Sequence, residues 1–229
     1  MKFPIFELNQ YFGSIKIIQG IFSVFGDFGV GKTTFALQTA INSAKLEKSV
    51  IFVYTKPNFP LEKIQLIIGD SEEMLENILF VQTIKFNELY KIIFNLEFLV
   101  LNFLKENRQK LDLIIIDSIT NLYRIELNMK KKEKNYNLNY QLNQILANLS
   151  YLNETYGIEI LIVNEISKKN LNNQIIETQS GGKVMEFWVK YNLKITRSNK
   201  LNERKLVFTN ISENKTNEYT LNLKEKGFE

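Results

Sequence analysis

At 229 residues, with 45% apolar and 24% charged side chains, the chain can bury one sizeable core or, at a stretch, two small ones, and wholesale disorder is excluded. Its 29 Lys and Arg against 25 Asp and Glu give a net charge of +4, a mild bias that permits a polyanionic partner without demanding one. The lack of both Cys and His excludes disulfides, thiol nucleophiles, thiolate metal sites and imidazole acid–base chemistry, leaving carboxylates, lysines, hydroxyls, backbone amides and a hard cation.

Met1 to Asn9 is interrupted by Lys2, Pro4 and Glu7, which argues against a secretory leader. Ile21–Phe25 reads as a short strand, followed by a glycine-rich turn and a helix over Thr33–Lys45 with Phe35, Ala36, Ala40 and Ala44 at helical spacing. Ser49–Tyr54 predicts a second strand, Pro57 and Pro60 a loop, Leu61–Ile68 a short helix and Ile78–Val81 a third strand. Phe86–Glu106 has the length and period of a long helix. Its greasiest part, Phe94 to Leu104, is broken by Asn95, Glu97 and Asn102 and falls short of the ~20 apolar residues a membrane helix needs. A cytoplasmic protein without membrane contact is the default expectation.

Leu111–Ile116 is an almost unbroken apolar run, the mark of a strand covered on both faces. Leu138, Leu142, Ile145, Leu146, Leu149 and Leu152 place a helix over Asn137–Tyr156, which Gly157 ends. Ile158–Val163 is another buried strand. Asn192–Thr196, Arg204–Thr209 and Glu218–Leu223 are short strands split by polar turns, which suggests antiparallel pairing. Phe187 and Trp188 lead into the first of these and read as core. Alternating strands and helices predict an α/β fold, a mostly parallel sheet flanked by helices, with the antiparallel C-terminal strands extending one edge. Without a repeat or a linker, residues 1–229 read as one domain.

Gly26-Asp27-Phe28-Gly29-Val30-Gly31-Lys32-Thr33 satisfies G-x-x-x-x-G-K-[ST], with a strand before it and a helix behind it. In such a P-loop the glycines let successive amides turn toward phosphate oxygens, and the helix start adds the positive end of its dipole. The pattern assigns Gly26, Asp27, Gly29, Val30, Gly31, Lys32, Thr33 and Thr34 to the phosphates of ATP. The Thr33 hydroxyl is expected to ligate Mg²⁺. Leu113-Ile114-Ile115-Ile116-Asp117 delivers a second expected Mg²⁺ ligand, Asp117, at the C-terminal end of a buried strand, where ligands of open α/β sheets bind.

With both motifs placed, the chain resembles the RecA/RadA recombinase family, and within it the short archaeal RadB-like paralogues. The resemblance covers nearly the whole chain. It is carried by Gly26–Thr34 with Phe35-Ala36-Leu37-Gln38, by Ile116-Asp117-Ser118-Ile119-Thr120 running on to Leu122-Tyr123-Arg124, by Tyr156-Gly157-Ile158 before a strand ending in Asn164, and by Gly181-Gly182. It implies a RecA-like P-loop ATPase core without the N-terminal helical domain. It also implies ATP binding with poor hydrolysis, DNA binding, and an accessory role in homologous recombination and repair beside a RadA-type recombinase. Two positions depart from the family pattern. Lys56 stands where the recombinases keep a catalytic glutamate, and Glu165 stands where a glutamine senses the γ-phosphate. A charged lysine accepts no proton, so no residue is assigned as catalytic. The two side chains are expected to pair with each other, with Lys56 pointing to solvent as the alternative.

The recombinases face DNA with the loops after these two strands. Here the first is expected over Arg124–Asn137, with Lys130, Lys131, Lys132, Lys134 and Tyr136, and the second over Ile166–Ser180, with Lys168 and Lys169. Lysines neutralise phosphates and an aromatic stacks on an unpaired base, so single-stranded DNA is the expected partner. The same residues also suit an ordinary solvated loop. Arg124 reads equally as a DNA contact or a helix-end partner. Two other functions stay open: a nucleotide-locked adaptor that binds only proteins, which would ignore DNA at low salt, and a KaiC-like regulatory ATPase, which would need a carboxylate base where Lys56 stands.

Overall fold

The computed structural model describes residues 1–13, 18–69, 72–105, 110–128, 130–171 and 174–229, with the side chains of 103–105, 169–171 and 174–176 outside that description. In chain order the elements are α1 (Phe6–Phe12), β1 (Ile21–Gly26), α2 (Lys32–Ala44), β2 (Ser49–Tyr54), α3 (Leu61–Ile68), β3 (Ile78–Gln82), α4 (Phe86–Lys105), β4 (Leu111–Asp117), α5 (Asn121–Glu126) and α6 (Lys132–Tyr156). They continue with β5 (Glu159–Leu171), β6 (Gln174–Gln179), α7 (Gly182–Trp188), β7 (Val189–Arg197), β8 (Glu203–Asn210), β9 (Lys215–Lys224) and β10 (Gly227–Phe228).

The strands share one sheet in the order β10-β9-β8-β7-β1-β5-β4-β2-β3, with β6 paired to the far part of β5. From β7 through β3 the neighbours run parallel, and β7–β8, β8–β9 and β9–β10 are antiparallel. Period-two alternation divides the central strands between two cores. Phe22, Val24, Phe52, Leu113, Ile115, Leu161 and Val163 face the layer of α1, α2 and α3. Ile21, Ile51, Val53, Ile114, Ile116, Ile160 and Ile162 face α4, α5, α6 and α7. Both faces are covered, which is why these strands read as unbroken apolar runs. Among the described residues no helix is long and apolar enough to cross a membrane.

Three expectations change. The first expected DNA loop is mostly helical: Arg124 lies in α5, and α6 begins at Lys132, so Lys132, Lys134 and Tyr136 sit on a helix. Its opening turns carry only Tyr136 among polar residues before Leu138, so periodicity gave no sign of them. The second loop is a ribbon in which β5 continues past the sheet and pairs antiparallel with β6, Ile166 opposite Gln179 through Leu171 opposite Gln174. Phe187 sits on α7 at 76% exposure and is not core, while the Trp188 indole donates to Asn143 Oδ1 at 2.8 Å.

The last strand returns to the start of α2. The Phe228 N–H donates to Gln38 Oε1 at 2.7 Å and its ring packs on Phe35 at 6.0 Å between centroids. Phe228 is 4% exposed, so truncating it opens a cavity beneath the glycine-rich turn. Phe228→Ala is expected to lower unfolding free energy by about 3 kcal/mol, with an unchanged denaturant slope in urea titration.

Candidate nucleotide site

The C-terminal ends of β1, β4 and β2 lie side by side with the stretch of β5 around Glu165, and the site is built on them. The turn after β1 wraps the start of α2. Gly31 holds φ 103°, and a Cβ there would stand 2.7 Å from the Phe228 ring, so conformation and space both require glycine. The first α2 bond runs from the Phe35 N–H to Gly31 O at 2.8 Å, leaving the amides of Lys32, Thr33 and Thr34 without a helical acceptor. Beside them lies a cavity of about 930 Å³ lined by Phe28, Gly29, Gly31, Lys32, Thr33, Thr34, Lys56, Pro57, Asn121, Arg124, Ile125, Glu165 and Leu223. Free amides, a helix start and cations turned into a large cleft fit a phosphate chain.

Lys32 is 6% exposed, and its ammonium donates to Gly26 O at 2.8 Å, Asp27 O at 2.9 Å and Glu165 Oε2 at 3.0 Å. All three of its donors are thereby used inside the chain. Glu165 is aimed by its neighbour: Asn164 Oδ1 accepts the Glu165 N–H at 2.8 Å and the Thr120 hydroxyl, while Asn164 Nδ2 donates to Ser180 O at 2.9 Å.

Lys56 makes the second ion pair. Its Nζ donates to Asp117 Oδ1 at 2.9 Å and to Thr33 Oγ1 at 3.1 Å. Burial penalises this charge, but Asp117 and the hydrogen bond to it more than offset the penalty and raise the Lys56 pKa above the ordinary lysine value. Lys56 is therefore an ammonium at neutral pH and takes up no further proton. Its backbone is fixed by Gln82 Nε2, which donates to Lys56 O and Pro57 O at 2.8 Å each. The two strand ends are also stapled. The Thr55 N–H donates to Asp117 O at 2.7 Å, and the Thr55 hydroxyl donates to Ser118 O at 2.9 Å while accepting the Ser118 N–H at 2.8 Å. The Asp117–Ser118 peptide is cis.

The expected Lys56–Glu165 pair is thus corrected. Lys56 pairs with Asp117, and Glu165 pairs with Lys32. The expected magnesium ligands meet a cation of the chain: Thr33 Oγ1 and Asp117 Oδ1 both accept from Lys56. Asp117 Oδ2 is buried without a partner and out of reach of solvent. Mg²⁺ needs oxygens at about 2.1 Å in an octahedron rich in water, and these residues as placed do not fit it.

Arg124 is exposed and lines the same cavity as the P-loop, which periodicity gave no reason to expect. Lys130, Lys131, Lys132, Lys134 and Tyr136 are exposed around the start of α6, with Tyr136 at 72% and Lys134 held to Glu126 at 3.6 Å. On the ribbon, Lys168 faces Glu177 at 3.7 Å, Lys194 shares that carboxylate at 3.0 Å, and the Lys169 side chain lies outside the described residues. Thr55 and Gln82, which position Lys56, had no motif to flag them; only the adjacency of β2 with β3 and β4 gives them work.

Thr55→Val removes a hydroxyl that satisfies both backbone groups of buried Ser118. The variant is expected to lose about 2–3 kcal/mol of stability, read as a lower Tm, where Ser49→Val at the other end of β2 costs little.

The chain matches the Rad51 family over residues 8–229. It is 33% identical over 179 residues to a DNA repair and recombination protein RadB of Methanococcus maripaludis, covering 78% of this chain and 76% of that one. It is 32% identical over 187 residues to the protein of that name from Methanocaldococcus jannaschii, covering 81% of each chain. With the counterpart from Methanosphaera stadtmanae it shares 31% over 175 residues, 76% of this chain and 71% of the other.

Proposed function

The chain belongs to the Rad51 family, and from that premise we propose that it is an ATP-binding, DNA-binding, RadB-like accessory of homologous recombination and DNA repair, with weak or absent ATP hydrolysis. The names of its relatives support the repair and recombination role. The observation that carries the rest is the pairing of the charges at the cradle. Glu165 is the single carboxylate among the described cavity-lining residues, and it is spent on Lys32. Asp117 beneath is spent on Lys56. The site offers cations and amides to phosphate but no free base to an attacking water. Bound ATP would act as a structural ligand.

In this reading, the P-loop amides and Lys32 hold the phosphates, and Glu165 must yield its contact for Lys32 to do so. Arg124 adds charge at the mouth, and Phe28, Ile125 and Leu223 give that mouth an apolar rim. The recombinases of this family generally bind ATP with Mg²⁺; Lys56 stands in the way of that arrangement here. The exposed lysines and Tyr136 at the start of α6 suit single-stranded DNA, through phosphate neutralisation and stacking. A RadA-type recombinase is the proposed protein partner.

ATP at 100 times its Kd is expected to stabilise the wild type by about 2.7 kcal/mol in thermal unfolding and to leave Lys32→Ala unshifted. Brisk Lys32-dependent phosphate release by the wild type in the same preparation would overturn the structural-ligand reading.

Replacing Lys130, Lys131, Lys132 and Lys134 by Ala is expected to weaken single-strand binding for all sequences alike. It should flatten the log–log salt dependence by about 0.7 for each phosphate that is no longer neutralised. Wild-type affinity and slope in the quadruple variant would remove this surface from the proposal.

A further inference from the structure

The geometry points to Lys56 as a tethered ammonium that takes the place of a divalent ion between Thr33 and Asp117, so that this chain binds its nucleoside triphosphate without magnesium. The inference rests on the nucleotide-binding reading above and specifies what that site requires.

Three observations carry it. The first is occupancy. The Lys56 ammonium lies 2.9 Å from Asp117 Oδ1 and 3.1 Å from Thr33 Oγ1, the two atoms to which an ion would bind. The second Asp117 oxygen is sealed from solvent, so no other face of that carboxylate is open to a hydrated cation. An ion on the same two oxygens would sit against the ammonium, and like charges at that range repel strongly in a half-buried site.

The second observation is that the tether is built. Gln82 fixes the Lys56 carbonyl, Thr55 staples β2 to Ser118, and the Lys56 ammonium lies 5.8 Å over the Tyr54 ring. A lysine on an unanchored loop could swing into solvent. This one is held by main chain, by an aromatic face and by two acceptors.

The third is the donor count. An ammonium has three donors. Lys32 spends all of its own within the chain, but Lys56, which also lines the cavity, spends two, on Asp117 and Thr33, and leaves the third without a partner among the described residues. That remaining donor is available to a phosphate oxygen, as a bound ion's free coordination position would be. Lys32, Lys56 and Arg124 set three cations against the Glu165 and Asp117 carboxylates, so the pocket keeps an excess positive charge for a polyanion without an added ion.

The test uses the full chain and a fluorescent N-methylanthraniloyl ATP, titrated in excess EDTA and in excess Mg²⁺. The wild type is expected to bind at least as tightly in EDTA as in Mg²⁺. Lys56→Ala is expected to bind about tenfold or more weakly in EDTA, the loss of one charge-assisted hydrogen bond, and to recover in Mg²⁺. A second measurement needs no variant. Electron paramagnetic resonance of Mn²⁺ with wild type and ATP should show no protein-bound ion beyond the free Mn²⁺–ATP complex. Tight wild-type binding that requires Mg²⁺, or a protein-bound Mn²⁺ signal, overturns the inference and leaves the ATP-binding reading standing. A Lys56→Ala variant as indifferent to Mg²⁺ as the wild type also overturns it. No binding in either condition overturns both.

Discussion

Parallel pairing of β1, β5, β4 and β2 brings the ends of β1, β4 and β2 level with Glu165 of β5, and both ion pairs of the site depend on that constraint. Gly26 of β1 lies opposite Glu165 of β5, and Tyr54 of β2 lies opposite Asp117 of β4. Lys32 starts the helix that follows β1, and Lys56 follows β2 by two residues. Each lysine therefore finds the carboxylate of the strand next to its own. The two ion pairs are consequences of strand adjacency, and neither needs a long or strained reach.

That adjacency also explains what could be read in the sequence and what could not. The P-loop, the Asp117 strand and the buried strands were legible because each is local: a glycine spacing, a run of branched residues, a helix period. The partner of Lys56 was not. Family position places both Lys56 and Glu165 near a γ-phosphate, and that suggested a pair between them. Strand order puts β4 between β2 and β5, so Asp117 stands nearer to Lys56 and claims it. Order across a sheet is a long-range property with no trace in local spacing. The polar elements were lost for a different reason. The start of α6 is exposed from Lys130 to Lys134, and none of the described ribbon side chains, Ile166 to Lys168 and Glu177 to Gln179, is fully buried, so neither stands out as an apolar run.

The P-loop is fixed from below as well as from its own turn. The Phe228 ring stands where a Gly31 side chain would, and Gln38 on α2 holds the Phe228 backbone with both ends of its amide. A cradle that presents bare amides to phosphate cannot satisfy them within itself, so its rigidity must come from contacts on its far side. Here the terminal strand supplies them, which ties the antiparallel edge of the sheet to the chemistry at its centre.

The strand that carries Glu165 does not stop at the site. It runs on from Ile166 to Leu171 against β6, six residues that extend about 20 Å at ~3.4 Å each. In mechanical terms this is a lever arm with Glu165 at its fulcrum. A tilt of about 5° moves such a tip by roughly 2 Å, while the same tilt at the fulcrum displaces a side chain by a small fraction of that. The 3.0 Å contact between Lys32 and Glu165 weakens steeply over such small displacements. Any tilt of the ribbon would therefore reach the phosphate cradle geared down, a wide movement along the arm becoming a fine adjustment to one hydrogen bond.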